Sequence, residues 1–158
     1  MEIDFYVKHL RSKIWNEKFE YAKKKQLGQF FTSDELSNRI LMKLDSMNPE
    51  IFQSPSQKFI DPTGCGIGNL LFEALIRKLQ NDIPFEVALE NIYGVDIDPD
   101  AIEICRERLI CKQENLRHIV TKNIICADCT KIKNWSFNGT DPYKSNQDLH
   151  NEKFFDFE

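Results

Sequence analysis

The sequence predicts an α/β fold in which a parallel sheet is flanked by helices. Three short apolar segments typical of buried strands alternate with longer segments typical of helices, which is the pattern of a parallel sheet with helices on its faces. The strand candidates are residues 58–61, 91–96 and 122–127. A glycine-rich turn follows the first strand, and an acidic residue ends each of the other two. These strand ends are where ligand-binding residues are expected.

The composition is that of an ordinary globular domain. The chain has 158 residues, of which 41% are hydrophobic and 29% charged, within the usual size range of one domain. Apolar runs such as residues 69–76 are far shorter than the ~20 residues that a membrane span needs. The first residues lack the basic and then apolar layout of a secretion signal. We therefore expect a cytoplasmic protein without a membrane segment.

The five cysteines fit a reducing compartment better than a disulfide scaffold, because their number is odd. Cys126 and Cys129 form a CxxC pair, but Cys105 and Cys111 are six residues apart. A structural zinc site requires two close pairs of ligands. We therefore expect small buried side chains and no metal.

The net charge of −4 argues against a free-standing nucleic-acid binder, which normally has a basic surface. Local exceptions are residues 23–25, all lysines, and Lys131 with Lys133. Such clusters fit a solvated helix end as well as a phosphate contact. If DNA is the substrate, most of the contacts that hold it lie elsewhere.

Two helices are predicted before the first strand. Apolar residues recur at spacings of three and four from residue 3 to about 24, which indicates one amphipathic helix. A second helix follows a capping box with Thr32 as N-cap and Glu35 three residues later, and it ends at Asn48. Its predicted apolar face consists of Leu36, Ile40, Leu41, Leu44 and Met47. Residues 49–57 are predicted to form a loop.

Helices are also predicted behind the strands. The glycine-rich turn leads into a helix that carries Leu70, Leu71, Ala74, Leu75 and Leu79, and Pro84 opens a short one. Asp98 and Pro99 are typical of an N-cap and a first turn, and the helix behind them places Ile102, Cys105 and Leu109 on one face.

The expected organisation is an N-terminal helix in 1–27, a core in 28–137, a polar loop in 138–153 and the start of a fourth strand in 154–158.

The glycine loop and the acid after the second strand suit a ligand, since ligands bind beyond the carboxyl ends of parallel strands. Gly64, Gly66 and Gly68 allow the backbone to approach a ligand closely, and the helix N-terminus behind them favours an anionic group. Asp96 can accept hydrogen bonds from both hydroxyls of a ribose. Because Asp98 already fills the helix cap, Asp96 is expected to have no structural task.

Asp128, after the third strand, can accept a hydrogen bond from an exocyclic amino group such as adenine N6, or can simply form a turn. A dinucleotide is the alternative ligand, but its fingerprint is G-x-G-x-x-G with an acid about 20 residues later. Here Asp96 follows Gly68 by 28 residues, and no G-x-x-x-x-G-K-[ST] phosphate loop is present.

Four segments occur in an order that resembles the adenine-N6 DNA methyltransferases of restriction-modification systems and phages. That family begins with a GQFFTP-like segment, followed by DPxCGxGNF, an acidic strand end and an AD dipeptide. The corresponding segments here are GQFFT (28–32), DPTGCGIGN (61–69), YGVDIDP (93–99) and CADC (126–129). The resemblance covers about residues 26–129. It implies a partial Rossmann-like fold dependent on S-adenosylmethionine (SAM), truncated after about four strands.

The resemblance also implies a set of SAM-binding residues. The methionine end of SAM is expected to contact Gln29, Phe30, Phe31 and Thr32, and its sulfonium region to contact Asp61, Cys65, Gly66 and Gly68. Asp96 is expected to hold the ribose, Ile97 to lie against the adenine ring, and Asp128 to accept from its amino group with Cys129 beside it.

The sequence departs from the family pattern at two positions. Gly64 is inserted before Cys65, so either Asp61 is displaced from its usual contact or the turn bulges by one residue. Ser33 stands where the family usually has Pro, which is a mild change because Ser can also start a helix.

The family's catalytic motif, Asn or Asp followed by Pro-Pro and an aromatic residue, is absent from these residues; Asp141-Pro-Tyr143 lacks the second proline. We therefore expect the SAM-binding portion of such an enzyme, inactive alone, with no catalytic residue of its own. DNA is the expected partner of the complete enzyme, and a second chain is the expected source of the motif and of target recognition. The alternatives are a non-catalytic module that binds SAM or docks on a partner, and a degenerate fold that binds nothing.

Overall fold

Three parallel strands form the sheet in the computed structural model, which describes residues 3–20 and 32–145. They are β1 (Phe59–Asp61), β2 (Ile92–Asp96) and β3 (Ile124–Cys126), in the order β1-β2-β3. All three predicted strands are confirmed, although β3 begins at residue 124 and not at 122. The predicted α/β class, a parallel sheet flanked by helices, is therefore correct. It is consistent with part of a Rossmann-like methyltransferase fold.

Helices precede, connect and follow the strands. They are α1 (Ile3–Leu10), α2 (Ile14–Glu20), α3 (Asp34–Met47), α4 (Glu50–Gln53), α5 (Asn69–Gln80), α6 (Phe85–Glu90), α7 (Pro99–Leu109) and α8 (Arg117–Asn123), with 3₁₀ turns at Glu114–Leu116 and Cys129–Lys131. None of the helices within the described ranges combines the length and apolar character that crossing a lipid bilayer requires. The predicted fourth strand, residues 154–158, lies outside the described residues.

The helix after β2 begins and packs as its sequence predicts. Asp98 is the N-cap of α7, and its Oδ1 accepts from the main-chain N–H of Asp100 at 2.9 Å. Pro99 occupies the first turn, where its missing N–H costs nothing. The predicted inner face, Ile102, Cys105 and Leu109, is at most 1% exposed. This face packs against the sheet, which fixes α7 behind the end of β2.

The predicted continuous helix over residues 3–24 is wrong, because the chain turns between α1 and α2 at residues 11–13. The Trp15 indole N–H donates to the carbonyl of His9 at 2.8 Å, so a side chain caps the end of α1. Ile14 fits the apolar spacing of the predicted helix but is 51% exposed, whereas Trp15 is 6% exposed. Burial of the larger aromatic side chain outweighs continuation of the helix.

Two further predictions before the sheet are wrong. The N-cap of α3 is Ser33, whose hydroxyl accepts from the N–H of Leu36 at 3.2 Å; Thr32 is not the cap. Leu41 is buried as predicted and Leu44 packs against the core, but Leu36, Ile40 and Met47 are between 42% and 72% exposed, so the predicted face of α3 is wrong at these three positions.

The predicted loop 49–57 contains α4, which buries Phe52 to 1% exposure. An apolar residue within a polar sequence is thus enough to hold one helical turn against the core.

A buried arginine joins four parts of the structure. Arg108 on α7 is 1% exposed and donates to the carbonyl of Leu10 at 2.7 Å, to that of Ile67 at 3.3 Å and to Asn69 Oδ1 at 2.7 Å. Its guanidinium carbon lies 3.7 Å from the centroid of the Phe72 ring. Burial lowers the pKa of Arg108 to about 10, so it remains charged at neutral pH. It therefore connects α1, the glycine-rich loop, α5 and α7.

We expect Gly68→Ala to destabilise the fold by about 2–5 kcal/mol, from left-handed strain and overpacking together. Gly68 has φ +82°, and an added Cβ would lie 2.7 Å from Cys105 Sγ. Gly139→Ala is the matched control, because Gly139 has φ +86° but open space around it, so it should cost only about 1–2 kcal/mol. Urea denaturation measures both. Equal losses for the two variants would contradict the packing argument, and in a Cys105→Ala background the excess loss at Gly68 should disappear.

Candidate functional site

A cleft of about 310 Å³ opens at the carboxyl ends of the three strands. It is lined by Thr63, Gly64 and Gly66 from the loop after β1, by residues 95–97 at the end of β2, and by residues 127–129 after β3. The three strand ends that the sequence singled out therefore converge on one cavity. Thr63, Val95 and Ala127 are lining residues that sequence reasoning missed, because neither their type nor their position signals ligand chemistry.

The loop after β1 is held against β2 by its own backbone. The N–H of Cys65 donates to the carbonyl of Val95 at 2.9 Å, and that of Gly68 donates to the carbonyl of Cys65 at 2.8 Å. Gly64 has φ +138° and Gly66 has φ +52°, both of which glycine adopts at little cost. The extra residue at Gly64 is thus accommodated within the loop, while Asp61 keeps its register opposite Gly94.

Asp96 lies between the loop and the helix after β2. Its Oδ2 accepts from the N–H of Gly66 and its Oδ1 from the N–H of Asp98, each at 2.8 Å. The expectation that Asp96 has no structural task is therefore wrong, because it anchors both segments. A carboxylate offers about four lone-pair sites, so each oxygen can still accept one more hydrogen bond.

Asp128 is held in place by its neighbours after β3. Its Oδ1 accepts from the Thr130 hydroxyl at 2.6 Å and from the Thr130 N–H at 3.0 Å, and Lys131 Nζ lies 3.1 Å from Oδ2. The hydrogen bond from the Thr130 side chain, with that from Lys131, lowers the pKa of Asp128. The carboxylate is therefore ionised at neutral pH and acts only as an acceptor.

Tyr143 reaches the same end of the cleft from a distant part of the chain. Its hydroxyl accepts from the main-chain N–H of Asp128 at 2.7 Å. Sequence reasoning considered Tyr143 only within an incomplete catalytic motif, and a contact across 15 residues leaves no local pattern. Tyr143 fixes the backbone of Asp128, while Thr130 fixes its carboxylate.

Three predicted residues in the glycine-rich loop and at the end of the strand before it are not among those that line the cleft. Asp61 ends β1, and burial raises its pKa. The charge of Asp96 raises this pKa further, whereas a hydrogen bond from the N–H of Thr63 opposes the increase. Cys65 is 5% exposed, and its pKa is raised well above the usual value by a hydrogen bond with Cys105 and by burial. Gly68 packs on Cys105. Asp61 thus precedes the loop, and Cys65 and Gly68 are buried within it.

Of the other predicted residues, Ile97 and Cys129 line the cleft and Thr32 does not. Ile97 lines it and is 66% exposed, and Cys129 is half-buried. The carbonyl of Thr32 accepts from Asn69 Nδ2 at 2.7 Å, which places Thr32 at the start of α5. Gln29, Phe30 and Phe31 lie outside the described residues, as does the lysine cluster 23–25.

The cysteines differ in their exposure. Cys65, Cys105 and Cys111 are buried, as expected, but Cys126 is exposed, so that part of the expectation is wrong. The Cys126 thiol points to the carbonyl of Ile97 at 3.5 Å. Within the described ranges, no group of three or more His, Cys, Asp and Glu side chains is arranged to hold a metal ion.

The parallel sheet, the glycine-rich loop and the cleft at the strand ends are consistent with a Rossmann-like methyltransferase. Residues 90–158 match the Eco57I restriction-modification methylase family. The chain is also 35% identical, over 98 residues, to the Type II methyltransferase M.VspI of Vibrio sp. (strain 343), an alignment that covers 62% of this chain and 20% of that protein. The chain thus spans about a fifth of the length of this relative. No solved structure matches it. These similarities support a relation to restriction-modification methyltransferases.

We expect two of the five thiols to react with Ellman's reagent at pH 8 in the folded protein, and all five in guanidinium chloride. Cys126 and Cys129 are accessible, whereas the other three are buried. Burial raises the pKa of Cys111 to about 12, so little reactive thiolate forms there. A Cys126→Ser/Cys129→Ser variant should show no fast reaction. Rapid modification of three or more thiols in the folded wild-type chain would contradict the described core.

Proposed function

We propose that this chain is the SAM-binding portion of an adenine-N6 DNA methyltransferase. The observation that carries the proposal is the position of Asp96, whose carboxylate borders the cleft between the glycine-rich loop and the end of β2. The similarity to restriction-modification methyltransferases supports a methyl donor as the ligand. SAM combines a ribose, an adenine and a cationic sulfonium, and each can be matched to groups of this chain.

The ribose would be held by Asp96. Both oxygens of this carboxylate already accept one main-chain N–H at 2.8 Å, which fixes their orientation before a ligand arrives. One acceptor site on each oxygen remains for a hydroxyl. Two neighbouring hydroxyls match this arrangement, and preorganised acceptors lower the cost of ordering on binding.

The adenine would lie at the Asp128 end of the cleft. Ile97 offers an exposed apolar side chain there, which suits one face of a purine ring. Asp128 is an ionised acceptor fixed by Thr130, and the adenine amino group is a donor. Cys129 lies next to Asp128 on the same wall.

The methionine end would lie along the loop after β1 and the N-terminus of α5. Gly66 contributes backbone that a ligand can approach closely. Asp61, Cys65 and Gly68 would act by shaping this loop, since Asp61 precedes it and the other two are buried within it. The contacts proposed for Gln29, Phe30, Phe31 and Thr32 rest on the resemblance.

The charge of the cleft favours SAM over a dinucleotide or a nucleoside triphosphate. Asp96 and Asp128 line it, and Asp61 lies close enough for its charge to act on that of Asp96. These acids attract a sulfonium and repel a pyrophosphate. The N–H of Gly66, which a phosphate-binding loop would offer to its ligand, already donates to Asp96.

Bound SAM would supply an electrophilic methyl group for attack by an adenine amino nitrogen. Such a transfer depends on positioning and on acceptor groups around that nitrogen. In the family that this chain resembles, an Asn/Asp-Pro-Pro-aromatic motif provides these groups. That motif is absent from these 158 residues. We therefore propose that these residues bind SAM without transferring its methyl group. DNA and a polypeptide that carries the motif would be the partners of the complete activity.

We expect titration calorimetry to detect SAM binding by this chain, and Asp96→Ala to weaken it at least about a hundredfold. Two hydrogen bonds to a charged acceptor are lost, each worth about 1.5–3 kcal/mol. NAD and ATP should produce no saturable heat. Binding of SAM with equal affinity by Asp96→Ala would exclude the proposed ribose contact, and no heat from the folded wild-type chain would exclude the proposal.

Because Asp96 also anchors the loop, a second variant separates binding from folding. Ile97→Ala, at 66% exposure, should leave the unfolding temperature unchanged and weaken SAM binding several-fold, since about 1 kcal/mol of apolar contact is lost. Met42→Ala is the matched control on α3, outside the cleft, where the side chain is 59% exposed. Equal SAM affinities for the two variants would argue against the adenine placement.

We expect these 158 residues to transfer no tritium from methyl-labelled SAM to bulk DNA. A complete adenine-N6 methyltransferase serves as the positive control on the same DNA. Incorporation above background would refute the proposed division between SAM binding and catalysis. A purified polypeptide that carries the Pro-Pro motif and restores incorporation would identify the missing partner.

A further inference from the structure

A second pocket, of about 530 Å³, lies where α1, α2 and the turn after α7 meet. Phe5, His9 and Trp15 are among the residues that line it. The Phe5 and His9 rings are stacked, with centroids 6.3 Å apart and an interplanar angle of 21°, and Trp15 lies edge-on to His9 with centroids 5.0 Å apart. Phe5 is 38% exposed, which leaves part of its ring open to a planar ligand.

Lysines 8, 18 and 112 also line the pocket. Lys18 Nζ lies 4.9 Å from the centroid of the Trp15 ring and 2.9 Å from a Glu107 carboxylate oxygen. No carboxylate of residues 3–20 or 32–145 forms an ion pair with Lys8 or Lys112. Positive charge is thus concentrated here, in a chain whose net charge is −4.

His9 is also among the residues that line this pocket. Its Nε2 is buried, and in the described part of the chain it has no hydrogen-bond partner. Burial, with the charges of Lys112, Arg108 and Lys18, lowers the pKa of His9, so the imidazole is neutral at pH 7. A neutral imidazole adds no charge, so the lysines supply the positive charge of this pocket.

We propose that this pocket binds one nucleotide unit of a single-stranded DNA segment. The ammonium groups of Lys8 and Lys112 bind phosphate oxygens, as lysines commonly do, and the Phe5 ring stacks on a base. Stacking on a protein aromatic side chain requires a base that is not stacked within a duplex, which favours a single strand. The pocket lies on the N-terminal helices, so the proposal does not depend on SAM binding in the cleft.

Tryptophan fluorescence can test the site, because the chain has two tryptophans and Trp135→Phe leaves Trp15 alone. In this background, a single-stranded oligothymidylate should quench Trp15 saturably. Lys8→Gln/Lys112→Gln should weaken binding about tenfold or more, since two charged contacts are lost. The slope of log K against log salt should become shallower by about 1.4, from two phosphate contacts on single-stranded DNA.

Lys43→Gln/Lys122→Gln removes the same charge from exposed positions outside the pocket and should bind as the parent does. Thermal unfolding checks that every variant is folded. If thymidine monophosphate binds with the same affinity as the oligothymidylate, the pocket is a site for free nucleotides, and the proposal of a single-stranded DNA segment is overturned. No quenching by either probe, or unchanged affinity in the Lys8/Lys112 variant, would overturn the proposal. Because the probe is DNA and not SAM, either result leaves the proposed function to its own tests.

Discussion

The structure depends on one buried cation. Arg108 has no direct carboxylate partner among its described contacts; its charge is instead met by the carbonyls of Leu10 and Ile67, by Asn69 Oδ1 and by the face of the Phe72 ring. A buried arginine destabilises the folded state unless its guanidinium N–H groups find hydrogen-bond acceptors. The parts that satisfy it are α1, the end of the glycine-rich loop and the start of α5, so they must come together around α7. Through Asn69 the same network reaches Thr32.

Asp96 couples that scaffold to the cleft. By accepting N–H groups from Gly66 and Asp98, it fixes the loop after β1 relative to the start of α7. The carboxylate of Asp96 therefore serves both the loop and the proposed ligand. The two hydrogen bonds from the main chain orient the oxygens that the proposed ribose would contact. Asp128 shows the same arrangement on a smaller scale, since Thr130 and Tyr143 fix it from two sides.

The sequence predicted the convergence of the strand ends better than it predicted the helices before the sheet. The carboxyl ends of adjacent parallel strands must share one edge, so the positions of Gly66, Asp96 and Asp128 after their strands are enough to bring them together. No comparable constraint acts on the N-terminal region, where the apolar spacing of Ile14 suggested a longer helix but Trp15 was buried in its place.

The alternation of strands and helices, the N-cap Asp98 and the convergence of three strand ends were determined by the sequence alone, because they follow from local backbone preferences and the geometry of a parallel sheet. Only the tertiary structure decided that Asp96 anchors the loop, that Cys65 and Gly68 within the loop are buried, and that Tyr143 holds Asp128. These contacts join residues that are distant in the chain, and the physical reason is packing: which groups meet is set by how the buried surfaces fit together, and no local periodicity encodes that fit.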